Sequence, residues 1–346
     1  MKITHLLSTL VLFCTSMVRG FSMPEDLKEP QSASIGDFVL ENGQTIYDCR
    51  IGFKTFGKIN QHKTNIILFS TWFSGTTNDL ENSVPAKLID SSKYFIILVD
   101  ALGDGISSSP SNSPRQSRLS FPVFTIRDMV ESQHILLTKF FHISHLKAIA
   151  GISMGGMQSF QWAVSYPDFA DKIIPIAGSP QLTSNDLLLW TGEIRALESD
   201  TAYHQGNYDG FPSIPSVFVL HKLAVATPAY YANSISRSEF DHWFEQTITQ
   251  KSFDWNNWHR QLEAMISMDI TKTTGANGLA EAAKKIRSSM LIIVSRQDLM
   301  VNPIPATKLA GYLHSKLLVL NSDCGHLAPG CELSRVSHAI AEFLAS

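Results

Sequence analysis

The turn Gly151-Ile152-Ser153-Met154-Gly155-Gly156 constrains this chain more than any other feature, because it sets one serine among glycines where an apolar strand gives way to a helix. The run Leu146-Lys147-Ala148-Ile149-Ala150 before it reads as a buried strand, and Met157 to Tyr166 after it carries Phe160, Ala163 and Val164 on one helical face. A G-x-S-x-G turn in that setting holds its serine in a strained backbone conformation that only small neighbours tolerate, so the hydroxyl stands clear at the top of a sheet. The helix start adds free backbone N–H groups and a partial positive charge. Such a string also arises by chance, and Gly-rich strand-to-helix turns cradle phosphates in dinucleotide-binding domains. This chain contains neither G-x-G-x-x-G nor G-x-x-x-x-G-K-[ST], so Ser153 is read as a nucleophile.

The 346 residues, 44% of them hydrophobic and 17% charged, suffice for one large domain with an insertion. A formal net charge of −3 leaves no basic footprint for a nucleic acid. Residues 1–20 differ from the rest: Lys2 gives a positive start, Leu6 to Cys14 a short apolar core, and Val18-Arg19-Gly20 small residues near a cut. They are expected to be a signal peptide, which makes the mature protein secreted or periplasmic. No later run reaches the roughly 18 apolar residues of a membrane span, so stable membrane insertion is not expected. Cys324 and Cys331 are close enough to bridge in an exported protein, with Cys49 left over, and free buried thiols are the competing reading.

Short apolar runs alternate with helical patterns through the first half. Strands are expected at Phe38 to Leu40, Arg50 to Thr55, Asn65 to Ser70, Tyr94 to Val99, Leu146 to Ile152 and Lys172 to Ala177, with a helix over Thr125 to Phe141. This alternation implies an α/β fold, a mostly parallel sheet flanked by helices. From about Gln181 to Lys285 the pattern turns to Trp- and Tyr-bearing helical stretches, expected to form an inserted helical cap. Strands at Met290 to Ser295 and Lys316 to Asn321 then resume the alternation. The expected division is core over 35–180, cap over 181–285 and core again over 286–346.

A serine hydroxyl needs a base within hydrogen-bond reach and a group to orient that base. Asp298 stands just past the Met290 strand, with Asp323 as its competitor, and His326 lies in the loop before the final helix. Nucleophile, acid and histidine in that order form the expected catalytic set Ser153, Asp298 and His326. The oxyanion donors are expected to be the N–H groups of Met154, after the nucleophile, and Phe73, in the loop after the Asn65 strand. His142 and His145 lack a carboxylate at ligand spacing, so neither a metal nor a cofactor is expected.

The chain resembles the homoserine O-acetyltransferase-like branch of the α/β-hydrolase superfamily. The resemblance rests on Asp100-Ala-Leu-Gly-Asp-Gly-Ile-Ser-Ser-Ser-Pro-Ser-Asn112, Phe121-Pro-Val-Phe-Thr-Ile-Arg-Asp-Met129 and Gly151-Ile-Ser-Met-Gly-Gly-Met-Gln158 with Trp162, Tyr166-Pro167 and Pro175-Ile-Ala-Gly178. It covers the chain from about Asp37 onward, most weakly in the cap, and implies the α/β-hydrolase fold and a covalent acyl-enzyme on Ser153. His326 would act as base and then acid, with Asp298 holding its imidazole.

Two departures bear on the reaction. The resemblance implies an aspartate after the catalytic histidine and a cap arginine for the substrate carboxylate, whereas here Leu327 follows His326 and the stretch His221 to Tyr231 has no arginine. An amino-acid acceptor would lose two charged hydrogen bonds, about 1.5 to 3 kcal/mol each, with Lys222 offering only a point charge in place of the arginine. The first expectation is therefore a serine hydrolase acting on a small-molecule ester. A homoserine O-acetyltransferase-like acyltransferase is second, and a non-catalytic binding protein on the same scaffold is third. Trp190, Tyr203, Tyr230, Tyr231 and Trp243, with Trp72 and Phe73, are candidates for an apolar acyl pocket, though core packing suits any one of them. A homodimer is left open.

Overall fold

A computed structural model describes residues 29–249 and 253–346; the signal peptide expected over residues 1–20 lies outside the described residues. Eight strands form one sheet in the order β1-β2-β4-β3-β5-β6-β7-β8. They are β1 (Gln31–Val39), β2 (Thr45–Phe56), β3 (Ile66–Ser70), β4 (Phe95–Val99), β5 (Leu146–Ile152), β6 (Ala170–Ile176), β7 (Ser289–Ser295) and β8 (Lys316–Leu320). β1 and β2 run antiparallel at one edge and the rest are parallel. β3 and β4 are buried at every position, which is why they read as unbroken apolar runs with no alternation. β1 is longer than the expected Phe38 to Leu40, because its outer face is solvated and its polar residues hid it.

Helices α1 (Thr77–Glu81), α2 (Ile126–Ile135) and α3 (Met154–Ser165) belong to the first half of the chain. The expected Thr125 to Phe141 helix changes at Leu136 into a wider π-type turn, so α2 stops short of it. Between β6 and β7 come α4 (Ser184–Ser199), α5 (Pro215–Val225), α6 (Pro228–Ser234), α7 (Phe240–Ile248), α8 (Trp255–Ile266), α9 (Ile270–Thr274) and α10 (Leu279–Ala283). After β7 follow α11 (Ile304–Leu313), α12 (Ala328–Cys331) and α13 (Leu333–Ala345). Two buried apolar clusters form: one holds Met157 and Trp162 of α3 with Leu262 of α8, the other Val84, Ile293 and Val336. No helix among the described residues is long and apolar enough to cross a membrane.

The Asp100 to Asn112 segment crosses the strand ends as a tight loop built on two buried carboxyls. Asp100 accepts from the N–H and hydroxyl of Thr77, and Asp104 accepts from the N–H groups of Ile106 and Ser107 at 2.8 and 2.9 Å. Burial, and then the charge of Asp100, push the Asp104 carboxyl well above its ordinary value of 3.8. A group that holds its proton more tightly in the fold contributes stability that is full below its unfolded pKa and is lost as pH rises through the folded one. Asp104→Asn keeps the acceptor oxygen and replaces the titrating proton with an amide N–H. Its melting temperature, measured against wild type from pH 4 to pH 8, should gain on wild type as pH rises; a difference constant with pH would contradict this.

Candidate active site

The end of β5 and the start of α3 form a turn too tight for most residues. Ser153 adopts φ +58° and ψ −118°, outside the regions an L-residue prefers. Its neighbours explain how it is held there. A Cβ on Gly151 would come within 2.3 Å of the Gly155 carbonyl oxygen, and one on Gly155 within 2.5 Å of the Ser70 carbonyl oxygen. Only glycine allows the two backbones to approach that closely. The Ser153 N–H donates to the Ile176 carbonyl at 2.8 Å, which pins the turn to β6.

The three residues expected to act together do meet. The Ser153 hydroxyl lies 2.8 Å from His326 Nε2, and His326 Nδ1 lies 2.7 Å from Asp298 Oδ2. Asp298 is buried, and its other oxygen accepts from the N–H groups of Met300 and Val301, each at 2.9 Å. One carboxylate oxygen is thus fixed by backbone, leaving the other for the imidazole. Asp323 takes no such part: its carbonyl accepts from the Thr227 hydroxyl instead.

Phe73 and Met154 both sit beside Ser153, Phe73 lining the same pocket and Met154 opening α3. Neither N–H has a protein acceptor among the described residues. The loop that carries Phe73 is clamped on both sides. Gln158 of α3 donates to the Thr71 carbonyl at 3.1 Å and accepts from Gln133, which in turn accepts from Ser70 and Trp162. Gln261 of α8 accepts from the Ser74 N–H at 2.9 Å and donates to the Leu102 carbonyl at 3.2 Å. Buried amides satisfied in this way fix loop geometry.

A pocket of about 420 Å³ opens over Ser153 and His326, walled by Trp72, Phe73, Leu88, His221, Val225 and Met300 among others. Among the described residues its ionisable lining is Lys87, His221 and His326, with no carboxylate. Lys222, expected to replace a missing arginine, lines a separate apolar groove with Tyr231 and Trp243. Successive helix positions differ by about 100°, so α5 can turn only one of His221 and Lys222 toward the serine. Trp190 and Tyr203 are core residues, and Tyr230 packs at the edge of the second apolar cluster, so of the candidate aromatics Trp72 and Phe73 line the pocket.

The His326 loop is seated against the helical insertion. Gly325 has φ +64°, and a Cβ there would fall 3.0 Å from the Ala226 Cα, between α5 and α6. Thr227, which also caps α6, donates its hydroxyl to the Asp323 carbonyl. Cys324 and Cys331 are joined by a disulfide with Cα atoms 6.6 Å apart, resolving the two readings of these cysteines. Closing so short a loop restricts the unfolded chain by about 2.5 kcal/mol in the chain-entropy account. Cys49 is free and buried, and burial pushes its thiol up to about 12, which leaves it unreactive.

Of the groups that build this site, Gln133, Gln158, Gln261, Glu193 and His221 escaped the sequence reading. Gln158 and Gln261 lie in helices buried on nearly every face, α3 and α8, so no apolar-polar alternation sets them apart.

The family model described as alpha/beta hydrolase fold matches residues 72–329. A homoserine O-acetyltransferase of Nautilia profundicola is 29% identical over 360 residues, covering 88% of this chain and 95% of that protein. An ethyl acetate hydrolase of Pseudomonas veronii is 38% identical over 180 residues, 51% of each chain. Among solved structures, the acetyl esterase MekB superposes with a TM-score of 0.85 at 28% identity, over 92% of this chain and 97% of that one.

Proposed function

The chain belongs to the α/β-hydrolase family, in its homoserine O-acetyltransferase-like branch, and from that premise we propose that it is a serine esterase working through an acyl-enzyme. The observation that carries the reading is the continuous hydrogen-bond chain from Asp298 through His326 to Ser153, beside two N–H groups with no acceptor among the described residues. In this reading Ser153 Oγ attacks the ester carbonyl as its proton passes to His326 Nε2. Asp298 holds the Nδ1–H tautomer and stabilises the imidazolium. The N–H groups of Phe73 and Met154 receive the negative charge that develops on the carbonyl oxygen. His326 then gives its proton to the departing alcohol, and water enters by the reverse path to release the acid.

Water is the proposed acceptor because, among the described residues, no carboxylate lines the pocket to pair with an ammonium group, and Leu327 follows His326. The names of the ethyl acetate hydrolase and the acetyl esterase support esters of small acyl groups as substrates. Acyl transfer is the second reading, favoured by a likeness to homoserine O-acetyltransferase that spans almost the full length. Export is part of the proposal, supported by the character of residues 1–20 and by the disulfide at Cys324.

Product partition separates the two. With 4-nitrophenyl acetate as donor and homoserine in excess, free acetate should remain the dominant product. Efficient formation of O-acetylhomoserine, from this donor or from acetyl-CoA, would replace hydrolysis by transfer.

A further inference from the structure

Ser74, the residue after the oxyanion donor Phe73, stands at φ +60°, a left-handed conformation that is costly for a residue with a Cβ. The turn it belongs to demands this. The Gly75 N–H donates to the Trp72 carbonyl at 3.1 Å, and Phe73 keeps a negative φ, so Ser74 fills the second central position of a type II turn. That position favours glycine or asparagine. With serine there, the conformation has to be held from outside the turn.

The hold comes from α8, in the helical insertion. Gln261 is wholly buried; its Oε1 accepts from the Ser74 N–H at 2.9 Å and its Nε2 donates to the Leu102 carbonyl at 3.2 Å. The loop behind it leaves room for the side chain: Gly103 has φ +82°, and a Cβ there would fall 3.2 Å from Gln261 Cγ. Relaxing Ser74 to a negative φ means flipping the Phe73 to Ser74 peptide, which converts a type II turn to type I. The flip would set the Phe73 carbonyl against Gln261 Oε1, acceptor against acceptor. The amide cannot answer by turning over, because its oxygen would then meet the Leu102 carbonyl. A glutamine tied at both ends therefore permits one form of the turn and opposes the other. Since the flip rotates about the Phe73 Cα–C bond, it disturbs the residue whose N–H serves the oxyanion.

We propose that Gln261 is a positioning residue for hydrolysis, which locks the Trp72 to Gly75 turn in its left-handed form from the insertion and so aligns the Phe73 N–H with the developing oxyanion. The proposal rests on the esterase reading and adds that the oxyanion site is completed by a helix outside the sheet's own loops.

A double-mutant cycle tests it. Gln261→Met keeps the bulk of the side chain and removes both polar contacts. Its kcat for 4-nitrophenyl acetate, per site titrated by a fluorophosphonate, should fall about 10- to 100-fold with KM little changed, short of the roughly 10²- to 10³-fold loss that follows removal of an oxyanion donor. The same change is then made beside Ser74→Gly, where glycine takes a positive φ freely and the turn no longer needs its clamp. There it should cost no more than about threefold relative to Ser74→Gly alone. A role confined to packing of α8 would give the same loss in both backgrounds. Should the methionine variant not fold, Gln261→Asn carries the same comparison, since it keeps an amide in the core but is one methylene too short to span Ser74 and Leu102. Equal losses in the two backgrounds, or wild-type kcat in the Gln261 variant, overturn the role of Gln261 while hydrolysis stands. A wild type that neither takes the label nor cleaves the ester overturns the esterase reading and this assignment with it.

Discussion

Ser153→Ala is expected to lower turnover of an activated acetate ester by roughly 10⁵- to 10⁶-fold and to abolish covalent labelling by a fluorophosphonate. The loss is large because alanine removes the attacking atom itself, while the turn around it has no need of the hydroxyl: the N–H of residue 153 still donates to Ile176. What survives should be the modest rate that binding and the oxyanion donors give to attack by water. His326→Ala should cost nearly as much, and the double variant little more, since the two groups serve one step. Intact-mass analysis checks the first claim directly. Wild type should gain one label, and a label that persists in Ser153→Ala would place the nucleophile elsewhere.

Asp298→Asn is expected to reduce kcat by about 10⁴-fold with little change in stability. The reason lies in how this carboxylate is held. Its Oδ1 is fixed by the N–H groups of Met300 and Val301, so an asparagine keeps its carbonyl oxygen there and turns its amide toward His326. An amide N–H facing Nδ1 demands a lone pair on that nitrogen, which moves the ring proton to Nε2. The imidazole would then present a donor to Ser153 Oγ, where catalysis needs an acceptor. Steady-state kinetics beside a thermal melt tests this. Near wild-type kcat in a folded variant would remove Asp298 from the mechanism.

The expected strands of the sheet and the three residues that meet in the site could be read from the chain because each depends on local pattern. The unbroken apolar runs of β3 and β4 follow from burial on both faces, and Ser153 is marked by glycines that its turn requires. Asp298 and His326 were legible from their positions past strand ends, since strand ends on one edge of a parallel sheet are brought together by the topology. What stayed hidden depends on contacts distant in sequence. Gln261 reaches Ser74 across 187 residues, and Glu193 reaches His221 across 28, with no periodicity to advertise either pairing. His221 was passed over in favour of Lys222 because charge type was weighed without the rotation of α5, which sets the two side chains on different faces. Only the fold could settle Cys324 and Cys331, since a bridge is a matter of distance and a spacing of seven residues fits free thiols equally well.

The contact of Ala226 with Gly325, and of Thr227 with the Asp323 carbonyl, makes the region between α5 and α6 a foundation for the loop that bears His326. The insertion is therefore not an interchangeable part. A chimera that borrows these helices from a relative to alter substrate choice would also reset the seat of the proton carrier, and its selectivity and its turnover would change together. Recombination for new acceptors has a natural unit here: the stretch from α4 through α6 exchanged along with the Cys324 to Cys331 loop, so that the imported wall arrives with the histidine loop it was shaped to support.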